Sequence, residues 1–306
     1  MNFKNLSLSI ILSCVSTMVL ATPTEYRVIL PMAVGISADA ITRKIAEVFT
    51  RNTGNPLSVQ NIPGADGIVG MSRWKNDNST DVLVYGGGAV IYEPLINDKL
   101  PYTDNDFNYI IKIATQPGIW VTRPDTNIKT PADLINHMPE FVGGYAMSWN
   151  QNPLVFAKEK NLKIQMVSYK GGVEAVQALL GKQIDLVITG NSAIIMSLIK
   201  AGKLHVVGST FNSDYELDGI KYLSVPKRTG VPGFSSLLGI ALKPNLDPAR
   251  AAYLKKELWR AVQDPELQSM ISNIGSVNDS TNNEKQIFQN IIDLRNSVKK
   301  YPIANQ

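Results

Sequence analysis

Short apolar runs alternate along this chain with segments of helical period. Tyr26-Arg-Val-Ile-Leu30 reads as a buried strand that breaks at Pro31 and Gly35. Ile41, Ile45, Val48 and Phe49 follow at helical spacing, with Ser37 and Asp39 where an N-cap and first turn belong and Asn52-Thr-Gly54 as the stop. Leu57–Asn61 is a second strand that runs into Pro63-Gly64-Ala65-Asp66-Gly67. Asp81–Tyr85 is a third, ending in Gly86-Gly87-Gly88. Strands separated by helices and small-residue loops predict an α/β fold.

The second half repeats this grammar. Ile119–Thr122 is a strand, and Thr130-Pro-Ala-Asp-Leu134 opens a helix with proline at its start. Gly143-Gly-Tyr-Ala146 leads to an expected open loop at Ser148-Trp149-Asn150. Ile164–Ser168 is a strand, with Tyr169-Lys170-Gly171-Gly172 as its turn. Val173, Val176, Leu179 and Leu180 predict the next helix. Gln183–Ile188 ends in Gly190-Asn191-Ser192, and Leu204–Gly208 is one more strand. After the turn-rich Thr229–Phe234, Leu237–Leu242 returns as a strand. The rest is predicted helical over 248–263, 264–274 and 284–299, with Asp264-Pro265-Glu266 as an N-cap, proline, acid start.

Composition narrows the function classes. The 306 residues are 44% hydrophobic and 18% charged, enough to bury a core. The formal charge of +4 is spread without a basic block, which argues against nucleic acid as a partner. One cysteine, Cys14, and two histidines, His137 and His205, exclude a disulfide framework and a cysteine-based metal site. No Gly-x-Gly-x-x-Gly follows the first strand, and there is no Walker loop and no Gly-x-Ser-x-Gly elbow. Neither histidine has a nucleophile beside it, so no catalytic residue, cofactor or metal is expected.

The N-terminus reads as an address. Lys4 precedes an apolar stretch from Leu6 to Leu20 and a small-residue site at Val19-Leu20-Ala21, so residues 1–21 are expected to be a signal peptide cleaved after Ala21. A buried N-terminal helix is one alternative. A lipid anchor at Cys14 is another, because Ile11-Leu12-Ser13-Cys14 is close to a lipobox; Leu12 is atypical there, and the residues that follow are apolar rather than a polar tether. Export to the periplasm suits a mature chain without thiols.

In parallel α/β sheets, ligands bind beyond the carboxyl ends of the strands, where helix N-termini offer free N–H groups and partial positive charge. The loops at 31–39, 63–67, 86–88, 148–150, 169–172 and 190–192 all fit such a place. Their distribution over two sequence halves predicts a cleft between two lobes.

At these loops the chain resembles the periplasmic receptors of tripartite tricarboxylate transporters, the Bug family of extracytoplasmic solute-binding proteins. The segments that carry the resemblance are Tyr26 through Asp39, Asn61-Ile-Pro-Gly-Ala-Asp-Gly-Ile-Val-Gly70, Leu100-Pro-Tyr-Thr-Asp-Asn-Asp-Phe107, Val167-Ser-Tyr-Lys-Gly-Gly172 and Ile199-Lys-Ala-Gly-Lys-Leu204. The resemblance implies a type II-like periplasmic binding protein fold with two hinge crossovers. Lobe one would be 22–120 plus 235–306 and lobe two 121–234, with Ile119–Thr122 and Leu237–Ala241 as crossing strands. It implies a non-enzymatic, monomeric receptor that closes on a small organic acid and passes it to membrane transporter subunits, or alternatively presents it to a membrane sensor kinase; a receptor for a non-carboxylate ligand is a further alternative, given the departures from the family pattern. The implied ligand-binding residues are Gly35, Ser37, Asp39, Gly64, Asp66 and Gly87 on one side, and Ser148, Trp149, Tyr169, Lys170, Gly171, Gly172, Asn191 and Ser192 on the other. Asp39 is expected to organise its loop or cap the helix rather than touch an anion. Trp149 would stack on a flat ligand part or pack the lobe. Lys170 would pair with an anion or stay solvated, and Asp66 would meet a cationic group or cap the next segment. The chain departs from the family pattern at Ile36 for a glycine, Ile62 for an arginine, Asp66 for a glycine and Ile68 for an asparagine. Pro153 stands where members often have Ser or His, and Gly190-Asn191 replaces an acidic residue.

Overall fold

The computed structural model describes residues 24–144, 147–169 and 171–301. The proposed leader and Cys14 lie outside these residues, as does Lys170. In chain order the elements are β1 (Tyr26–Leu30), α1 (Ser37–Thr53), β2 (Leu57–Asn61), α2 (Ile68–Asn76), β3 (Val82–Gly86), α3 (Glu93–Ile96), β4 (Asn108–Gln116), β5 (Gly118–Thr122), α4 (Asp133–His137), β6 (Phe141–Gly144), α5 (Met147–Glu159) and β7 (Gln165–Ser168). Then come α6 (Gly172–Leu180), β8 (Leu186–Gly190), α7 (Ala193–Lys200), β9 (His205–Ser209), β10 (Tyr215–Leu217), β11 (Ile220–Tyr222), α8 (Val225–Thr229), β12 (Ser236–Leu242), α9 (Pro248–Val262), α10 (Pro265–Asn273) and α11 (Glu284–Lys299).

Two five-stranded sheets share one plan. The first is ordered β2-β1-β3-β12-β4 and the second β7-β6-β8-β5-β9. In each, three strands pair in parallel, and β12 or β5 joins antiparallel between the third of them and the edge strand, β4 or β9, which therefore runs in the same direction as the three. Strands buried on both faces read as continuous apolar runs, and every residue of β3, β5 and β12 is buried. The carboxyl ends of β1, β2 and β3 and of β6, β7 and β8 lead into the loops that border one cavity.

Sheet membership changes at Pro117, between β4 and β5, and again between α8 and β12. The chain therefore crosses in short connectors. β5 and β12 do not themselves cross, as the sequence had suggested, because each makes its whole ladder within one sheet. The second connector is pinned by Asn152 of α5: its Oδ1 accepts from the Phe234 N–H at 2.8 Å, and its Nδ2 donates to the Phe234 carbonyl at 3.0 Å.

The expected loop at 148–150 is instead the first turn of α5. Pro153 lies inside this helix and has no N–H for the Trp149 carbonyl four residues back. The Asn152 side chain supplies a substitute donor at 3.4 Å, which lets the helix run through the proline. Likewise Gly88 starts a π-helical turn, Gly88–Tyr92, that runs straight into α3. Arg295 of α11 fixes that turn by donating to the Val90 carbonyl and to Asp104.

Candidate functional site

A cavity of about 570 Å3 lies between the two sheets, within the usual range for small-molecule sites. Its first wall begins at the β1–α1 loop. Gly35 has φ +86°, a left-handed conformation that suits glycine. Ile36 precedes α1 in extended backbone, φ −82° and ψ 168°, which a branched residue adopts without strain. It offers no side-chain cap, and among the described residues nothing accepts from the Ser37 and Ala38 N–H groups at the start of α1. These donors stand on the cavity wall.

Asp39 is not on that wall. It is buried behind the loop, where its carboxylate accepts from the Gly35 N–H at 2.9 Å and from Asn61 Nδ2 at 3.0 Å and pairs with Arg43 at 3.0 Å. Burial alone would raise its pKa, but these partners outweigh burial and hold it below the ordinary carboxylate value. Asn61 also donates to the Met32 carbonyl at 3.1 Å, so Asp39 and Asn61 together fix the loop shape.

The β2–α2 loop is strained. Gly64, Ala65, Asp66 and Gly67 all have positive φ, and for Ala65 and Asp66 that carries a cost of order 1–3 kcal/mol each. Close packing holds it. The Asp66 carboxylate lies over Gly88, where any Cβ would collide with it. A Cβ on Gly67 would stand 3.2 Å from Ala89, and one on Gly70 would stand 2.5 Å from the Ile62 carbonyl. Gly87 donates to Ser236 Oγ at 3.3 Å.

The facing wall starts at α6. Gly171 is extended at φ −169°, nothing lies within 4 Å of where its Cβ would be, and the Gly172 and Val173 N–H groups have no acceptor among the described residues. Tyr169 donates its backbone N–H to Gly144 at 2.9 Å, and burial, with Glu174 nearby, raises its phenol pKa. Trp149 is buried on the cavity wall and packs near Gly118 of β5, so lining the cavity and packing its own lobe fall on one residue. Ser192 caps α7 by accepting from Ile195 N–H at 3.4 Å. Asn191 is 5% exposed and lines the cavity. Burial pushes the Tyr222 phenol up to about 12, against the lowering effect of its hydrogen bond with the Asn191 side chain.

Of the sequence-predicted residues, Gly35, Ser37, Gly64, Asp66, Gly87, Trp149, Tyr169, Gly171, Gly172, Asn191 and Ser192 all meet at this cavity. Asp39 supports it from behind. The Ser148 side chain and Lys170 fall outside the described residues. Met32, Gln116, Thr189, Ile195, Ser236 and Leu237 also line the cavity. Gln116, at the first crossover, donates to Ser37 Oγ at 3.2 Å. A glutamine at the end of a strand carries no sequence signature of such a role.

Among the described lining residues the ionisable side chains are Asp66 and Tyr169, neither of them cationic. The electropositive features are the N-termini of α1 and α6, which suit an anionic group. No cluster of three or more His, Cys, Asp or Glu among the described residues could hold a metal ion. His205 Nε2 is engaged with the Lys129 carbonyl at 2.7 Å, and His137 is exposed.

The profile described as tripartite tricarboxylate transporter family receptor matches residues 41–302. The chain belongs to this family. It is a family of solute-binding receptors rather than an enzyme class. Relatives include a UPF0065 protein from the tcbD-tcbE intergenic region of Pseudomonas sp. strain P51, 23% identical over 81% of this chain and 76% of its own length. The BugT protein of Bordetella pertussis is 25% identical over 78% and 76%. Among solved structures, R. palustris Rpa4515 with adipate aligns with a TM-score of 0.79 at 19% identity, covering 91% of this chain and 96% of its own. MatC from Rhodopseudomonas palustris with bound malate gives 0.77 at 16% identity, covering 91% and 99%. The fold is that of two-lobed periplasmic binding proteins, BugD among them. No helix among the described residues is long and apolar enough to cross a membrane.

Proposed function

We propose that this receptor captures a small carboxylate by closing its two lobes about the crossovers at Pro117 and before β12, and delivers it to a tripartite tricarboxylate-type membrane transporter. The observation that carries this reading is the presence of two uncapped helix N-termini, of α1 and α6, on one interlobe cavity whose described lining has no cationic side chain. The Ser37, Ala38, Gly172 and Val173 amides would hold the carboxylate, with Gly35 and Gly171 allowing close approach. Gly64, Asp66, Gly87, Trp149, Tyr169, Asn191 and Ser192 would shape the remaining space. The adipate and malate bound by structural relatives support the ligand class. The protein acts as a monomer without catalysis, in the periplasm, after cleavage behind Ala21.

Calorimetry and thermal shift with mono-, di- and tricarboxylates and with uncharged metabolites test this. Carboxylates should raise the melting temperature and bind one to one. If only uncharged compounds do so, the reading is wrong. Pull-down of a permease from membranes would support the transport role, and pull-down of a kinase alone would refute it.

A further inference from the structure

Each set of free helix amides on the cavity wall has a branched apolar residue beside it. On lobe one, Ile36 holds the N-cap position of α1, where Ser, Thr, Asp or Asn would ordinarily claim an amide. It claims none. It is half-buried against the lobe-one core and lines the cavity next to Ser37 and Ala38. On lobe two, Gly171 is the N-cap of α6, and Val173, also half-buried, lines the cavity from the first turn beside Gly172. Met32 extends the lobe-one floor by lying over Gly86, where no Cβ would fit. The lining hydroxyls are engaged within the chain: Ser37 Oγ accepts from Gln116 at 3.2 Å, Thr189 donates to the Gly190 carbonyl at 3.2 Å, Ser192 caps α7 and Ser236 accepts from Gly87. Both donor sets for an acid group are thus flanked by aliphatic surface left partly open to water, and covering that surface is favourable.

We infer that the ligand is a carboxylate whose carbons next to the acid group are hydrocarbon, and that Ile36 and Val173 select it. This rests on the carboxylate reading above and narrows it. With the carboxylate on the Ser37, Ala38, Gly172 and Val173 amides, carbons 2 and 3 of the ligand come against Ile36 from one lobe and Val173 from the other as the lobes close. A methyl or methylene there exchanges water for aliphatic contact. A hydroxyl or ammonium there gives up hydration against side chains that offer no hydrogen bond. The site therefore disfavours acids with a hydroxyl or amine on carbon 2 or 3, whatever stands at the far end of the ligand.

A matched series tests this by calorimetry: butanoate, 3-methylbutanoate, 2-hydroxybutanoate, 3-hydroxybutanoate, 2-aminobutanoate and the uncharged butanamide. Butanoate should bind roughly tenfold tighter than its hydroxy and amino counterparts. The added methyl of 3-methylbutanoate should tighten binding by roughly a further fourfold. Val173→Thr keeps the side-chain shape and the backbone N–H. Its ligand-free melting temperature should stay near that of the wild type while the preference for hydrocarbon over hydroxyl members shrinks several-fold. Ile36→Ala should shrink that preference as well. Hydroxy acids binding as tightly as butanoate, or a ranking unchanged in both variants, would overturn the inference and leave the carboxylate reading standing. Butanamide binding as tightly as butanoate, or no acid binding the wild-type protein, would bring down both.

Discussion

The Asp39 carboxylate accepts a hydrogen bond from the Gly35 N–H at 2.9 Å, tying the first turn of α1 to the loop that brings its amides to the cavity. Asp39→Ala would strand the Gly35 N–H and Asn61 Nδ2 and should cost about 2–3 kcal/mol by chemical denaturation, with weaker ligand binding. The pKa of Asp39 is depressed in the folded state, so its stabilisation is full above the unfolded carboxylate value and is lost as pH falls through the folded value. The stability gap between wild type and Asp39→Asn should therefore be constant above about pH 5 and narrow below about pH 4. A gap that widens on acidification would contradict this assignment.

Gly171 separates folding from binding. With φ −169° and open space at its Cβ position, Gly171→Asp should fold with a melting temperature near that of the wild type. The new carboxylate would stand at the α6 N-terminus and compete with the ligand for the same amides, so affinity for any carboxylate should fall roughly a hundredfold. Unchanged affinity by calorimetry would move the anion site away from α6.

Asn152 ties α5 to the second crossover. Asn152→Ala removes the partners of both Phe234 backbone groups, in a site where Asn152 is 2% exposed, and opens the Trp149 carbonyl left by Pro153. We expect a loss of about 2–4 kcal/mol. Asn152→Asp keeps the acceptor for the Phe234 N–H and should recover part of it at the price of a buried charge. Equal stability of wild type and Asn152→Ala in urea would show that the crossover is held by other contacts.

How much of this was legible in the sequence follows from the range of the interactions. The β1–α1 unit, the small-residue loops and the three C-terminal helices depend on local period and on caps such as Asp264, so they can be read from neighbouring residues. Strand β4, Asn-Tyr-Ile-Ile-Lys-Ile-Ala-Thr-Gln, went unread, although its apolar run and its place before Pro117 are strand features. The β10–β11 hairpin was missed too, despite Asp218-Gly219, whose φ values of +52° and +75° form the turn such a pair favours. The start of α5 was misread as a loop because the rescue of Pro153 by Asn152 depends on a side-chain geometry that no period reveals. Gln116, Asn152 and the contact of Gly275 with Asn191 join residues 79 or more positions apart, so only the folded chain shows them.

Gly275 provides the test of that last contact. It follows α10 with φ +72°, and its Cβ position lies 2.8 Å from Asn191 Nδ2 and 3.2 Å from Leu217. Gly275→Ala therefore faces a left-handed backbone penalty of about 1 kcal/mol and must push the Asn191 amide aside. The Asn191 side chain is hydrogen-bonded to the Tyr222 phenol, so the loss of stability should exceed the backbone term by about 1 kcal/mol. Asn191→Ala combined with Gly275→Ala should lose less stability than the sum of the two single losses, since both act on the same amide. Additive losses in the double variant, measured by chemical denaturation, would mean that Gly275→Ala acts through its backbone alone and leaves the Asn191 amide in place.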